Sequence, residues 1–248
     1  MDTVAGAAHQ DYPVDCFQVF LLDDAADPKL EHAVKVFNRR TAKRPGSHEV
    51  VYLARKKPAG ERHYYKSGNL RFGLEVTDST YGSSEYFGAL DADMIPESDW
   101  LARCTPHMIN HPGYALVGPP QLAYNIPEGD PLSQDSNVFA QILEPIRNEF
   151  GCSQCSGSGY IMRRSALASI GGWPLATIGA DILCSYLLQE QGWKTASITD
   201  EVQFGMSPGS FHAYIGQRIR WVRTSCVRTS CMMQIVDLLL FRPMAVCS

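Results

Sequence analysis

Strand-length apolar runs alternate with helical patterns along the first half of the chain, and two of those runs stop on paired acids. Phe17-Gln18-Val19-Phe20-Leu21-Leu22 is the first run and ends at Asp23-Asp24. Asp27-Pro28 then predicts a helix start, because Asp caps free amides and proline fits the first turn. Leu30, Val34 and Phe37 follow at helical spacing. Val50-Val51-Tyr52-Leu53 predicts a second strand and Tyr86-Phe87-Gly88-Ala89-Leu90 a third, which ends at Asp91-Ala92-Asp93. Pro96-Glu97-Ser98-Asp99 opens a helix from Trp100 to about Ile109, and Tyr114-Ala115-Leu116-Val117 predicts a fourth strand. This order predicts an α/β fold with a mostly parallel open sheet flanked by helices. Ligands in such sheets bind outside the carboxyl ends of the strands, and both acidic pairs fall there.

A chain of 248 residues buries roughly 70–75% of its unfolded surface as one unit, so it needs no disulfide scaffold. The eight cysteines show no paired zinc-ligand spacing, and Cys152-Ser-Gln-Cys155 is read as buried free thiols in a reducing compartment. A net charge of −4 offers no general attraction to nucleic acid, so no nucleic-acid partner is expected. No signal peptide is expected from residues 1–10, and no stretch approaches the roughly 18 uninterrupted apolar residues of a membrane span.

The chemistry-bearing residues carry alternative readings. Asp91 and Asp93 project to one side of an extended segment, as a divalent cation needs or as a solvated turn allows. Asp23 and Asp24 suit a helix cap or a nucleotide contact. Lys66-Ser67-Gly68-Asn69 suits a loop near an anion or a surface turn. Ser156-Gly157-Ser158-Gly159 reads as a flexible turn, and Ser165 to Ile170 as a short helix stopped by Gly171-Gly172. Asp181 opens an apolar helix as its cap or as a general base at a cleft rim. No acid stands between Val202 and Val236, where Arg218, Arg220, Arg223 and Arg228 accumulate. Such charge suits a diphosphate. Trp221 offers a flat apolar face for a sugar ring or a core pocket. Val227, Cys231, Ile235 and Leu238 form a stripe that predicts an amphipathic interfacial helix on an anionic bilayer or an ordinary surface helix. Asp237 and Arg242 interrupt it, so it is not expected to span.

In order, the chain carries Asp-Asp, Lys-x-Gly-Asn, Asp-x-Asp, Gly-Ser with Arg163-Arg164, Gly171-Gly172-Trp173-Pro174, Asp181 and Gln217-Arg218-Ile219-Arg220-Trp221. From Tyr12 to Trp221 it resembles the family 2 inverting glycosyltransferases, in the cellulose-synthase-like branch with its D, D, D, Q-x-x-R-W signature. The resemblance implies a GT-A-like glycosyltransferase domain over 1–225, N-terminally incomplete, and an amphipathic interfacial helix and tail over 226–248. It implies a UDP-sugar donor, a carbohydrate or small-molecule or lipid acceptor, Mg²⁺ or Mn²⁺, and membrane association at the cytoplasmic face. Asp24, with Asp23, resembles the uracil contact, and Lys66 the lysine near the nucleotide. Asp91 and Asp93 resemble the metal pair and Asp181 the catalytic base. Gln217 and Arg220 resemble the diphosphate contacts, Trp221 the residue capping the acceptor, and Gln121 part of the Val117-to-Gln121 segment that lies beside the substrate.

The implied reaction is inverting transfer of a hexose to an acceptor hydroxyl, in β-glucan or other polysaccharide synthesis. Single-sugar transfer and an inactive nucleotide-sugar-binding remnant are the alternatives. Gly179-Ala180 replace the family's Thr-Glu before the base, and Cys155-Ser156 its Phe-Cys before the Gly-Ser turn. The family's first strand, with its Pro-Thr-Tyr-Asn-Glu-like end, and its transmembrane helices have no counterpart here. The chain is thus expected to be a divergent short relative, a truncated gene product or a fragment.

Overall fold

The first apolar run folds as β1 (Val19–Asp23), which pairs in parallel with β2 (Val50–Ala54). The crossover between them is α2 (Pro28–Thr41), and Asp27 caps it by accepting the Lys29 amide at 2.9 Å. An earlier helix, α1 (Asp2–Ala8), packs Val4 and Ala8 against Val34 and Val50. These come from a computed structural model, which describes residues 1–43, 46–57, 60, 62–130, 134, 142–175 and 179–219.

Lys66 to Leu70 is not a loop. It opens α3 (Tyr65–Thr80). Its glycines mark close packing rather than a turn: a methyl on Gly73 would run into the Leu22 side chain, and one on Gly68 into the His63 carbonyl and Arg55. Glycine is kept in a helix at a conformational cost where the backbone must approach a neighbour.

A second sheet holds β3 (Tyr86–Ala89), β5 (Tyr114–Gly118), β7 (Tyr160–Arg163) and β8 (Lys194–Ser197), in the order β3-β7-β5-β8. A third joins β4 (Met94–Pro96), β6 (Leu122–Ala123) and β9 (Gln203–Gly205), in the order β4-β9-β6. The α/β class holds, but the pairing is mixed. β1–β2, β5–β8 and β6–β9 are parallel, and β3–β7, β5–β7 and β4–β9 antiparallel. The reason lies in the Gly157-to-Gly159 turn. It returns the chain at the carboxyl end of β3, where the Gly159 amide donates to Ala89 O at 2.7 Å, so β7 runs back along β3. Among the described residues no strand pairs with the other edge of β1 or of β3.

Alternation along the buried strands feeds a core on each face. Leu116 and Met162 join Trp173, Cys184 and Leu188 on one side, next to α6 (Arg164–Ser169) and α7 (Ala180–Glu190), which follow the short α5 (Glu144–Glu149) in the chain. Val117 and Ile161 join Trp100, Cys104 and Met108 of α4 (Trp100–Asn110) on the other. Burial pushes the Cys104 and Cys184 thiols up to about 12, so both remain neutral core groups.

The chain divides into two compact units, 1–207 and 208–248. The second is described as far as residue 219 and contains a helix over 211–219, where Phe211, Ile215 and Ile219 are exposed. The expected boundary at 225/226 and the apolar stripe from Val227 to Leu238 lie outside the described residues. Among the described residues no helix is long and apolar enough to cross a membrane.

Trp100 ties α4 to the returning turn, its indole N–H donating to Gly159 O at 2.7 Å in a fully buried bond. Trp100→Phe leaves that carbonyl without a donor. The expected loss is about 1–3 kcal/mol from the orphaned acceptor alone, read as a lower urea midpoint. An unchanged midpoint would refute this role.

Candidate active site

The Gly157-to-Gly159 turn is packed on every side rather than flexible. The Asp91 amide donates to Ser158 Oγ at 3.0 Å, and Lys66 Nζ donates to Gly157 O at 2.6 Å. The same ammonium pairs with Asp91 Oδ1 at 2.5 Å. Lys66, in the first turn of α3, therefore joins the end of β3 to the turn that leads into β7. Partial burial raises the Asp91 carboxyl above its ordinary value; Asp93 and Asp181 add to the rise, and Lys66 opposes it. Asp93, two residues on, is exposed.

Asp181 comes to the same place from α7. Gly179, left-handed at φ 68°, occupies the cap position, so Asp181 is not the cap. It sits within the first turn, where its Oδ1 accepts the Ile182 amide at 3.0 Å. Its other oxygen lies over Gly157: a methyl there would stand 2.5 Å from Asp181 Oδ2 and 3.6 Å from Lys66 Nζ. Gly157, at φ 98°, has no alternative, since only glycine adopts this backbone freely and leaves the space open. Cys155 N, donating to Ser185 Oγ at 2.8 Å, holds α7 to the segment before the turn.

A cavity of about 120 Å³ opens between the first turns of α3 and α7, with Lys66 and Asp181 on its wall and buried Trp173 behind them. Tyr64 and Tyr65 line it as well. Both are left-handed, at φ 54° and 43°, a strain of roughly 1–3 kcal/mol each for residues with a β-carbon.

The acids after β1 divide the work. Asp23 accepts the Ala25 and Asp27 amides at 2.8 and 2.7 Å and the Tyr52 hydroxyl at 2.6 Å, so it builds the turn into α2. Burial pushes its carboxyl up, but these hydrogen bonds outweigh it and hold the group below its ordinary 3.8. Burial and the Asp23 bond push the Tyr52 phenol up to about 12. Asp24 faces outward and pairs with Arg55 Nη2 at 2.5 Å and with Lys57 at 3.3 Å. Arg55 also donates to His63 O at 2.9 Å, so it connects Asp24 to the segment carrying Tyr64.

The structure thus brings Lys66, Asp91 and Asp181 together, with Asp93 beside them and Gln121 at the turn through its amide on Ser156 O at 2.8 Å. Gln217 belongs to the second unit, on the helix over 211–219. Arg220 and Trp221 lie outside the described residues. The sequence reading missed Arg55, Tyr64, Tyr65 and Ser158. Arg55 was findable: with β1 and β2 parallel, the residue after each strand meets the residue after the other.

A divalent cation would find two hard oxygen donors in Asp91 and Asp93. Among the described residues that act on Asp91, the carboxylates of Asp93 and Asp181 outnumber the Lys66 ammonium, which leaves local negative charge that a cation complements. Among the described residues no group of three or more ligating side chains assembles, so remaining positions would fall to substrate oxygens or water. The residues present fit such an ion.

The model of glycosyl transferase family group 2 matches residues 86–247. The chain is 28% identical over 228 residues to cellulose synthase 2 of Novacetimonas hansenii, covering 89% of this chain and 13% of that protein. It is 29% identical to the UDP-forming cellulose synthase catalytic subunit of Komagataeibacter sucrofermentans, over 89% of this chain and 28% of that protein. Identity to glucomannan 4-beta-mannosyltransferase 9 of Arabidopsis thaliana is 27%, over 88% and 40% respectively. The chain therefore spans well under half of each of these relatives. In fold it is similar to the mannosyltransferase PcManGT from Pyrobaculum calidifontis, solved in complex with GDP-Man and Mn²⁺. That match has a TM-score of 0.66 at 18% identity and covers 94% of this chain and 59% of the other. It is also similar to S. aureus TarS 1-349, at a TM-score of 0.53 and 16% identity over 89% and 60%.

Asp23 titrates below its unfolded value, so its stabilisation is complete above pH 3.8 and is lost as pH falls through the lowered native value. Asp23→Asn leaves a turn amide without an acceptor. The variant is expected to lose about 1–3 kcal/mol at pH 7, with the gap to wild type closing in acid below pH 3.8. Denaturant titrations at several pH values measure it. A gap independent of pH would show that the carboxylate charge is not the cause.

Proposed function

The chain belongs to glycosyl transferase family group 2, and from that premise we propose that it transfers a hexose from a UDP-sugar to an acceptor hydroxyl with inversion, in polysaccharide synthesis. The observation that carries the reading is Asp181 Oδ2 lying over Gly157, the residue whose carbonyl holds Lys66 on Asp91. A proton acceptor and an anion-handling group thereby share one wall of one cavity. The named cellulose synthases and the glucomannan mannosyltransferase support a polysaccharide product.

The chemistry follows from these positions. Asp91 and Asp93 would hold Mg²⁺ or Mn²⁺, which when bound supplies charge neutralisation to a departing diphosphate. Lys66 adds a second positive group on the same side. Asp181 accepts the proton of the acceptor hydroxyl as that oxygen attacks the anomeric carbon. Its backbone is fixed in the first turn of α7, so it needs no rearrangement to reach the cavity. Holding donor and acceptor together can supply ~7–11 kcal/mol of the barrier, and the base a further ~10²–10⁴-fold. Asp24 is assigned to the uracil on the motif resemblance alone, and in the structure it pairs with Arg55 and Lys57. Gln217, Arg220 and Trp221 belong to the same reading on sequence grounds, as does membrane contact through the Arg-rich stretch.

Asp181→Asn keeps the Ile182 bond and the shape of the site but cannot take a proton. Sugar transfer is expected to fall about 10²-fold or more, while UDP affinity by calorimetry stays near wild type. Equal, measurable turnover in the two proteins would remove Asp181 from catalysis, whereas no transfer by the wild type despite UDP binding would favour a nucleotide-sugar binder.

Asp93→Ala removes one of the two oxygen donors. UDP binding by the wild type is expected to strengthen with Mg²⁺ or Mn²⁺ and to weaken in chelator, and the variant to lose that metal dependence. Identical affinity with and without chelator would overturn the metal assignment.

A further inference from the structure

We propose that Tyr65 is a stacking platform for the acceptor sugar, held out over the Asp181 cavity by a strained backbone; this inference rests on the transferase reading above. Tyr65 is 76% exposed, so its own burial does not repay an unfavourable conformation. Yet it is left-handed at φ 43°, directly after Tyr64 at 54°. Such conformations persist in residues with a β-carbon only where the surroundings over-determine them, and they gather at binding sites.

The surroundings here can be named. The first turn of α3 packs so closely on the preceding segment that Gly68 has no room for a methyl against His63 O. Arg55 clamps that same carbonyl at 2.9 Å, and the Gly68 amide donates to Tyr64 O at 3.2 Å. The Arg62 guanidinium lies over the Tyr64 ring at 5.3 Å. The chain must therefore enter α3 through two left-handed residues, and the second projects its ring into solvent beside the cavity that Asp181 lines.

An exposed phenol ring has an apolar face and a polar tip. The apolar C–H face of a pyranose fits the first, and a ring hydroxyl the second. With Asp181 on the same wall, the sugar so held presents a hydroxyl to the base, which assigns Tyr65 to the acceptor side. Lys66, the next residue, turns instead to Asp91 and the donor side.

The test uses the full chain with cellotetraose and mannotetraose as probes and UDP as the donor-site control. Tyr65→Ala and Tyr65→Gly are expected to weaken oligosaccharide binding roughly three- to tenfold, the scale of one aromatic contact. Tyr65→Phe and Tyr65→Trp are expected to stay within about twofold of wild type, and UDP affinity to hold in all four. Tyr65→Gly, relieved of the strain, is expected to melt roughly 2–4 °C higher while binding sugar less well, a split that a purely structural residue cannot produce.

In transfer assays the loss belongs in the acceptor KM and not in the donor KM. A wild type that transfers sugar while Tyr65→Ala keeps the same acceptor KM overturns the platform and leaves the transferase standing. A wild type that binds both oligosaccharides, with the Tyr65 dependence above, but transfers nothing keeps the platform and removes the transferase. Binding of neither oligosaccharide, or a parallel loss of UDP affinity, refutes the platform.

Discussion

The Lys66 ammonium is the contact on which the arrangement of the site depends. It reaches from the first turn of α3 to the Asp91 carboxylate and the Gly157 carbonyl at once. Three parts of the chain that are far apart in sequence meet there: the helix after β2, the end of β3 and the return turn into β7. Burial, with Asp93 and Asp181 nearby, raises the Asp91 carboxyl, and the ammonium opposes that rise. Both Lys66 and Asp91 are partly open to water, and the pair organises the site more than it stabilises the fold.

The elements legible in the sequence were those decided by local pattern. β1, β2, β3 and β5 lie within a residue or two of their apolar runs, and Asp27-Pro28 starts α2 as capping chemistry requires. What was not legible depends on distant partners. The direction of β7 follows from where the Gly157-to-Gly159 turn meets β3, and no periodicity encodes that. α3 was hidden because its glycines look like punctuation, whereas they answer to Leu22 and His63, which only tertiary packing brings near.

The site shows the same division. Asp91, Asp181 and Lys66 carry charge in recognisable places and could be named from their motifs. Their division of labour could not. Asp23 and Asp24 are adjacent in sequence, but one closes a turn while the other faces Arg55. Tyr65 left no trace in the sequence because its distinguishing property is a backbone angle. Gln217 is placed by motif on a helix of the second unit.

The return turn also constrains how this chain can diverge. A side chain at Gly157 would collide with the Asp181 carboxylate, and one at Gly159 would collide with the amide of buried Gln203. Neither position can acquire even a methyl group unless its partner changes first. Losing Asp181 would open the space above Gly157 but not its backbone, which at φ 98° would still strain any residue with a β-carbon. The glycine is thus held twice over, by the carboxylate and by its own dihedral, and it outlasts the loss of the first constraint. A descendant without Asp181 would keep the same glycine, so the turn alone does not record whether the carboxylate has been kept.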